Sequence, residues 1–185
     1  MALNSTVYKA DLQVTDMDRH YYQAHALTVA RHPSETEQRL MVRLLAFALH
    51  ADDALVFAKD LNSDDEPALW RKQLTGDIDL WIEVGQPDEK RIRKACGRAR
   101  QVVVYTYSGH GAQVWCKAIG PTLERTRNVS VFDLDAVSGA ALTALAQRTM
   151  QLQCFVQDGH IQVMGDDAIV PIDLATRTGS REQTL

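Results

Sequence analysis

Two carboxylates interrupt an apolar stretch near the middle of the chain. Asp79 and Glu83 lie on either side of the triplet LWI in GDIDLWIEVGQPDEKRIRKA, residues 76–95. An acidic side chain on a buried strand needs a partner, because burying an isolated charge is costly. Two kinds of partner are possible for these carboxylates. The carboxylates either form ion pairs with Arg91 and Lys94 of the helix that follows, or they hold a metal ion.

The metal interpretation has a definite chemistry and a definite geometry. Carboxylates are the usual ligands of Mg²⁺, and Mg²⁺ or Mn²⁺ at such a site stabilises phosphoryl charge and activates water. On a regular strand Asp79 and Glu83 point to the same face, about 13 Å apart, so one ion cannot bind both directly. Either the strand bends or bulges, or a third carboxylate completes the site. The candidates for that third ligand are Glu35, Asp65 and Glu66.

Each of these acidic positions also has a structural interpretation. Glu35 and Glu37 are first of all residues that complement the positive end of a helix. The segment DDEP, residues 64–67, is first of all an exposed turn. For Asp79 and Glu83 the strand position favours neither interpretation, so ion pairing and metal binding both stay open.

Other common catalytic motifs are absent from the sequence. The glycines form neither GxGxxG nor GxxxxGK[ST], so no phosphate-cradling loop is predicted. The six histidines form no HExxH motif, and none has a cysteine at zinc-finger spacing. Ser108 and His110 occur together in YSGHG, but no G-x-S-x-G turn surrounds the serine. We interpret SGHG as a strand-to-helix turn.

Composition and charge set the class of protein. The chain has 185 residues, 45% hydrophobic and 24% charged, which suits one domain with a sizeable core. Its net charge of −4 and the lack of a basic tail argue against nonspecific binding to nucleic acid or to membranes. The three cysteines form no CxxC pair, and no signal-peptide pattern or membrane-length apolar run is visible. We therefore expect reduced thiols, a cytoplasmic location and no membrane association.

Periodicity and turn residues predict one α/β (α+β) domain over residues 1–185, with 176–185 as a loose tail. Ser34 and Glu37 fit a capping box at the start of the most regular helix. The other predicted elements are strands at 4–14 and 21–31 forming an antiparallel pair, a strand at 54–58, a helix from Pro67 into ALWRKQ, a strand at 77–85, a helix from Pro87, a strand at 100–108, a helix at 110–120, a strand at 128–134, a helix at 135–149 and a hairpin centred on Asp158-Gly159.

Several long segments, in order, resemble the bacterial YaeQ family: RHPSETEQR, SDDEPALW, GDIDLWIEVGQPDEKRIRKA and LQCFVQDG. The resemblance covers nearly the whole chain, and joint agreement of long segments is more specific than any short motif. It implies a variant of the PD-(D/E)XK, restriction-endonuclease-like fold, a mixed β-sheet flanked by helices, here with an extra antiparallel β-hairpin at the N-terminus. That fold holds Mg²⁺ with an acid from one strand and a D/E-x-K pair from the next.

The sequence departs from the nuclease pattern at the place that matters for catalysis. GDIDL runs directly into WIEVG, as if the hairpin between the two acidic strands had been removed, and the lysine position is Gly85. The resemblance therefore implies only part of a site, with Glu35, Asp79 and Glu83 as metal ligands.

A displaced cation and a polar side chain complete the implied site. Lys94 is the expected catalytic cation, with Arg91 as its alternative, and Gln86 is expected to position water. Asp65 and Glu66 are secondary candidates for the metal.

Two functions remain as expectations. The first is a magnesium-dependent nuclease-like phosphodiesterase that acts on nucleic acid. The alternative is a catalytically inactive relative that serves as a binding or regulatory module, which the missing E-x-K motif favours. Arg91, Lys94 and Arg98 recur at helical spacing, and this basic stripe is either a solvated face with local ion pairs or a ridge that contacts phosphates.

Overall fold

A computed structural model describes residues 5–59, 63 and 65–178. The elements in chain order are β1 (Thr6–Asp16), β2 (Tyr21–Arg31), α1 (Glu37–Leu49), β3 (Leu55–Phe57), β4 (Leu69–Lys72), β5 (Ile78–Val84), α2 (Glu89–Arg98), β6 (Ala99–Thr106), α3 (His110–Arg125), β7 (Val129–Leu134), α4 (Ala136–Ala144), β8 (Thr149–Gln157), β9 (His160–Met164), β10 (Ile169–Ile172) and β11 (Leu174–Thr178). Among the described residues, no helix has both the length and the apolar character needed to cross a membrane.

The chain divides into two compact units, each assembled from two stretches of sequence. Among the described residues, the first unit comprises 5–51 and 137–173, and the second comprises 52–59, 63, 65–136 and 174–178. Each unit has its own mixed sheet, so the described structure is an α+β fold with two sheets and four helices. The single domain predicted from the sequence stays a prediction.

The first unit is built on a five-stranded sheet of order β10-β9-β8-β1-β2. The predicted antiparallel pairing of β1 with β2 is confirmed, and it runs without interruption over all eleven residues of both strands. The opposite side of β1 pairs in parallel with β8, so the N-terminal hairpin is an integral part of this sheet, with β2 as its edge strand. Alternate residues of β1 are buried, and Leu12 and Leu152 line one apolar interior with Met41, Leu44 and Leu142 of the helices.

The second unit is built on a six-stranded sheet of order β11-β7-β6-β5-β4-β3. Strands β5, β6 and β7 are parallel, as the nearly continuous apolar run in RQVVVYTYS predicts. Their side chains form a core with α2 and α3 that includes Trp81, Ile92, Val104, Ile119 and Leu123. The acidic strand β5 is therefore a central strand, with neighbours on both sides.

Three details of the predicted elements are corrected. Residues 69–72 form strand β4 rather than a helix, because Leu69 pairs with Ile82 of β5 and is completely buried there. A six-residue stretch is too short for periodicity to separate a strand from a helix. Residues 176–178 of the predicted tail belong to β11, which pairs with β7, and residues 179–185 lie outside the described residues.

The third correction concerns the start of α1. Thr36, not Ser34, caps this helix, and its hydroxyl accepts a hydrogen bond from the Arg39 amide at 3.1 Å. The Ser34 hydroxyl lies 2.7 Å from Nδ1 of His32. The Glu37 carboxylate accepts from the Tyr8 hydroxyl at 2.9 Å. The capping-box pattern thus predicts the cap two residues too early, because two hydroxyl residues, Ser34 and Thr36, precede the helix.

We expect Cys154 to resist alkylation in the native protein. It is 1% exposed, and burial raises the pKa of its thiol to about 12, with a smaller contribution from Asp16. Only the thiolate reacts, and an unfolded cysteine has a pKa of about 8.5. Between about pH 9 and pH 12 the folded thiol therefore keeps its proton, whereas the unfolded thiol loses it. The contribution of Cys154 to the free energy of unfolding falls as the pH rises through this range.

Mass spectrometry after iodoacetamide treatment at about pH 8.5, with and without urea, tests this expectation. Labelling of Cys154 that requires no urea would contradict it.

Candidate functional site

Asp79, Trp81 and Glu83 lie on one face of β5, as the two-residue period of a strand requires. Glu83 is 3% exposed, whereas the Asp79 side chain is 26% exposed. The two carboxylates therefore occupy different environments on the same face.

Glu83 is held by two donors that meet on one of its oxygens. Arg91 Nε donates to Glu83 Oε1 at 2.7 Å, and the indole Nε1 of Trp81 donates to the same atom at 2.8 Å. Asp88 positions the arginine, because its carboxylate caps α2 and accepts from the Arg91 amide at 2.7 Å. A buried charge with a charged partner and a second hydrogen bond is a stable arrangement.

The Arg91 guanidinium also holds the segment that precedes β4. It donates to the carbonyl oxygens of Ser63 at 3.1 Å and Glu66 at 2.7 Å. The Glu66 carboxylate is directed elsewhere and accepts from the Lys59 amide at 3.1 Å. One guanidinium thus joins β5, α2 and the segment that contains residues 63, 65 and 66.

The other members of the basic stripe face the same segment. Lys94 Nζ lies 2.5 Å from Asp65 Oδ1, and Arg98 Nη1 lies 3.6 Å from the same oxygen. The hydrogen bond and charge of Lys94 lower the pKa of the Asp65 carboxyl. These pairs are partly exposed, so they confer orientation more than stability.

Asp79 has a separate set of partners. Gln73 Nε2 donates to it at 3.1 Å, Arg71 Nη2 lies at 3.5 Å, and Arg100 Nε lies at 3.7 Å. No partner of Asp79 in this set is shared with Glu83, so the strand carries two ion-paired carboxylates rather than one joint site.

Glu35 belongs to the first unit, whereas Asp79 and Glu83 belong to the second. Arg39 Nη1 and Arg43 Nη2 each donate to one of its oxygens at 2.8 Å. The Arg43 side chain is 1% exposed, and burial lowers the pKa of its guanidinium. Glu35 therefore serves as the counter-charge of a buried arginine.

Gln86 and Gly85 follow directly after β5. The Gln86 side chain is exposed and its Nε2 approaches the first turn of α3, where a Cβ added to Gly111 would lie 3.3 Å away. Gly85 has φ of +110°, a conformation that L side chains rarely adopt. The backbone itself thus disfavours a lysine at the E-x-K position.

The structure brings together five of the eight predicted site residues, and they are Glu83, Arg91, Lys94, Asp65 and Glu66. It does not bring Asp79 or Glu35 into this network. Within the described ranges, no three metal-ligating side chains are arranged to hold an ion. These residues do not fit a magnesium site as they stand, because Glu83 is already neutralised by Arg91 and its Oε1 accepts from two protein donors.

Sequence reasoning missed the role of Trp81 in this site. The signal was available, since a buried indole N–H usually requires an acceptor and Glu83 is the next residue on the same strand face. Trp81 also packs edge-on against Trp70 with ring centroids 6.0 Å apart. The indole therefore orients the carboxylate as well as filling the core.

We expect Gly85→Lys to destabilise the protein. A non-glycine residue held at this φ costs on the order of 1–3 kcal/mol. Denaturant unfolding measures that loss, and Gly97→Lys on the exposed side of α2 is the matched control, since Gly97 has no close neighbour at its Cβ and no positive φ. A Gly85→Lys protein as stable as this control would contradict the expectation.

The fold and the site define an α+β protein with two mixed sheets and an arginine-held carboxylate on a central strand. A sequence model of the family described as YaeQ protein matches residues 1–174, and the chain belongs to this family. It is 44% identical over 174 residues to the "Uncharacterized protein YaeQ" of Escherichia coli (strain K12), covering 94% of this chain and 96% of that protein. The corresponding protein of Salmonella typhi is 46% identical over 161 residues, covering 87% and 89%.

Two solved structures have the same fold. The crystal structure of the YaeQ protein from Xanthomonas axonopodis pv. citri superimposes with a TM-score of 0.91 at 50% identity, covering 95% of this chain and 99% of that chain. The crystal structure of the YaeQ protein from Pseudomonas syringae gives a TM-score of 0.90 at 35% identity, covering 96% and 98%. The resemblance seen in the sequence is confirmed at the level of the family.

Proposed function

We propose that this protein is a relative of the PD-(D/E)XK nucleases that binds nucleic acid without cleaving it, as a binding or regulatory module. The observation that carries the proposal is the contact of Arg91 Nε with Glu83 Oε1 at 2.7 Å on a carboxylate that is 3% exposed. An arginine in this position supplies the positive charge that a metal ion would otherwise supply.

The second unit supports the relationship to the nuclease fold. It has a mixed sheet in which β3, β4 and β5 are antiparallel neighbours, and α2 then leads to the parallel strand β6. The acids of the nuclease pattern fall on β5, the central strand of this arrangement. The backbone at Gly85 supports the absence of cleavage, since no lysine is accommodated there without strain.

The charge of α2 supports a nucleic-acid partner. Residues 89–100 contain six lysines and arginines and only one acid, although the whole chain has a net charge of −4. Lys90 and Arg93 are exposed, and the Arg98 side chain is 41% exposed. Concentrated positive charge on one helix is the local patch through which an acidic protein contacts phosphates.

A magnesium-dependent nuclease is the second candidate, and one observation favours it. Glu83, Asp65 and Lys94 are connected through Arg91 and the segment that it holds, so the residues predicted for the site lie on the same side of β5. If the protein is a nuclease, Arg91 must move away from Glu83 before an ion binds.

A cleavage screen with Mg²⁺ and Mn²⁺ on DNA and RNA distinguishes the two candidates. We expect the wild-type protein to cleave no more than Glu83→Gln, and its melting temperature to be unaffected by either ion. Metal-dependent cleavage that Glu83→Gln abolishes would replace the proposal with the nuclease candidate.

Binding is measured by fluorescence anisotropy as salt is increased. Each phosphate contact contributes about −0.9 to the slope of log K against log salt on duplex DNA, so we expect Arg98→Ala to flatten the slope by about 1. Arg125→Ala removes the same charge from an exposed position on α3 and is the matched control. Absence of binding at low salt, or equal slopes for the two variants, would overturn the nucleic-acid part of the proposal.

A further inference from the structure

The two sheets have four edges, and three of them carry features that discourage pairing with another strand. Strand β10 has four residues and contains Pro171, which lacks an N–H group. Strand β3 has three residues, and β11 has five with an irregularity between Thr176 and Thr178. Short strands, proline and bulges are the usual protections of a sheet edge.

The fourth edge, β2, carries none of these protections. It has eleven residues, pairs with β1 in unbroken register, and on its other side no described strand pairs with it. Its sequence YYQAHALTVAR contains no proline, glycine, lysine or acid. Long, regular edge strands with little charge are templates for strand addition, and Arg31 at the end of β2 is its one side chain of fixed charge.

The solvent-facing side chains of β2 are small and neutral. Ala24, Ala26, Thr28 and Ala30 are all exposed, and the neighbouring Tyr22 is 55% exposed. None of them would repel the same residue in a second chain. The exposed face of β2 can therefore lie beside the same face of a second copy without steric or charge repulsion.

We propose that β2 is the contact surface for a second copy of this chain, which pairs with it antiparallel across a two-fold axis at Ala26. This register pairs all eleven residues, since any shift leaves residues unpaired at both ends. It places Ala24 opposite Thr28 of the second copy, and Tyr21 opposite Arg31 at each end. The same strand then serves both partners, as a two-fold interface requires.

The centre of the strand contributes most to this contact. Arg43 Nη2 already donates to the Ala30 carbonyl at 2.9 Å. Fewer backbone hydrogen bonds can therefore form between the two copies at the ends of the strand. The pairs between residues 23 and 29 of the two copies therefore form the body of the interface.

Sedimentation of the full chain over a range of concentrations tests the proposal with two charge variants. Ala24→Lys with Thr28→Lys places like charges opposite each other twice, and we expect the dimer dissociation constant to rise roughly tenfold or more. Ala24→Lys with Thr28→Glu places opposite charges in the same register, and we expect it to dimerise as the wild type does. Both positions changed are exposed, so circular dichroism should report an unchanged fold.

Hydrogen exchange gives an independent measure, because β2 amides should become more protected as the wild-type concentration rises. A wild-type protein that is monomeric up to about millimolar concentration would overturn the proposal, as would a dimer that both variants leave unchanged. A monomer whose β2 amides are protected only by an added strand-forming peptide would also overturn self-pairing.

Discussion

Replacing Arg91 with Met should lower the free energy of unfolding by roughly 3–5 kcal/mol, because it leaves the Glu83 carboxylate buried without its charged partner. The Glu83 side chain is 4% exposed and Arg91 21%, so water does little to compensate for the loss. The variant also loses two hydrogen bonds to the carbonyl oxygens of residues 63 and 66. Urea unfolding monitored by tryptophan fluorescence measures the change.

A double-mutant cycle with Glu83→Gln separates the ion pair from the packing. We expect Glu83→Gln alone to be less harmful than Arg91→Met, because the arginine that it leaves behind reaches solvent more easily and the glutamine oxygen still accepts from Trp81. The two changes should be coupled by about 0.5–3 kcal/mol, as they are for residues in contact. Additive effects, or a Glu83→Gln protein more stable than the wild type, would show that the carboxylate is not held by Arg91.

The second large effect is expected in the first unit. Glu35→Gln should also lower the free energy of unfolding by roughly 3–5 kcal/mol, because Arg43 is 1% exposed and Glu35 is the carboxylate that it contacts. Thermal and urea unfolding measure this loss.

Arg43→Met is the informative control for Glu35. We expect it to cost less than Glu35→Gln, since Glu35 keeps its bond to Arg39, whose side chain is 24% exposed. Methionine also fills much of the volume of the arginine stem. If instead Glu35 were a metal ligand rather than a counter-charge, Glu35→Gln would be neutral in the absence of metal and would remove a stabilisation by Mg²⁺ that the wild type shows.

The site was predictable from the sequence up to the choice between ion pair and metal. Spacing placed Glu83 on a buried strand and Arg91 within the first two turns of the next helix; the strand is confirmed, and the structure places Arg91 in the first turn of α2. The choice depended on which rotamer Arg91 adopts and on where the segment around residue 65 runs. Neither follows from spacing, since both are set by contacts between elements that are 20 or more residues apart.

The fold was predictable wherever a local signal was strong. The β1–β2 pair, the Asp158-Gly159 turn with both residues at positive φ, and α2 behind Asp88 all follow from local patterns. The separation into two sheets does not follow from local patterns, because it depends on β8 pairing in parallel with β1 rather than with β7. Such long-range choices are decided by packing and leave no local pattern.

The pairing of β1 with β8 also fixes an order of events during synthesis. About 130 residues separate the two strands, and at 5–20 residues per second the ribosome needs about 7–26 s to supply them. During that interval the hairpin of β1 and β2 has two open sides instead of one. A chain stopped after residue 136 would keep both sides open permanently, so we expect such a fragment to aggregate or to be degraded rather than to fold as a smaller protein.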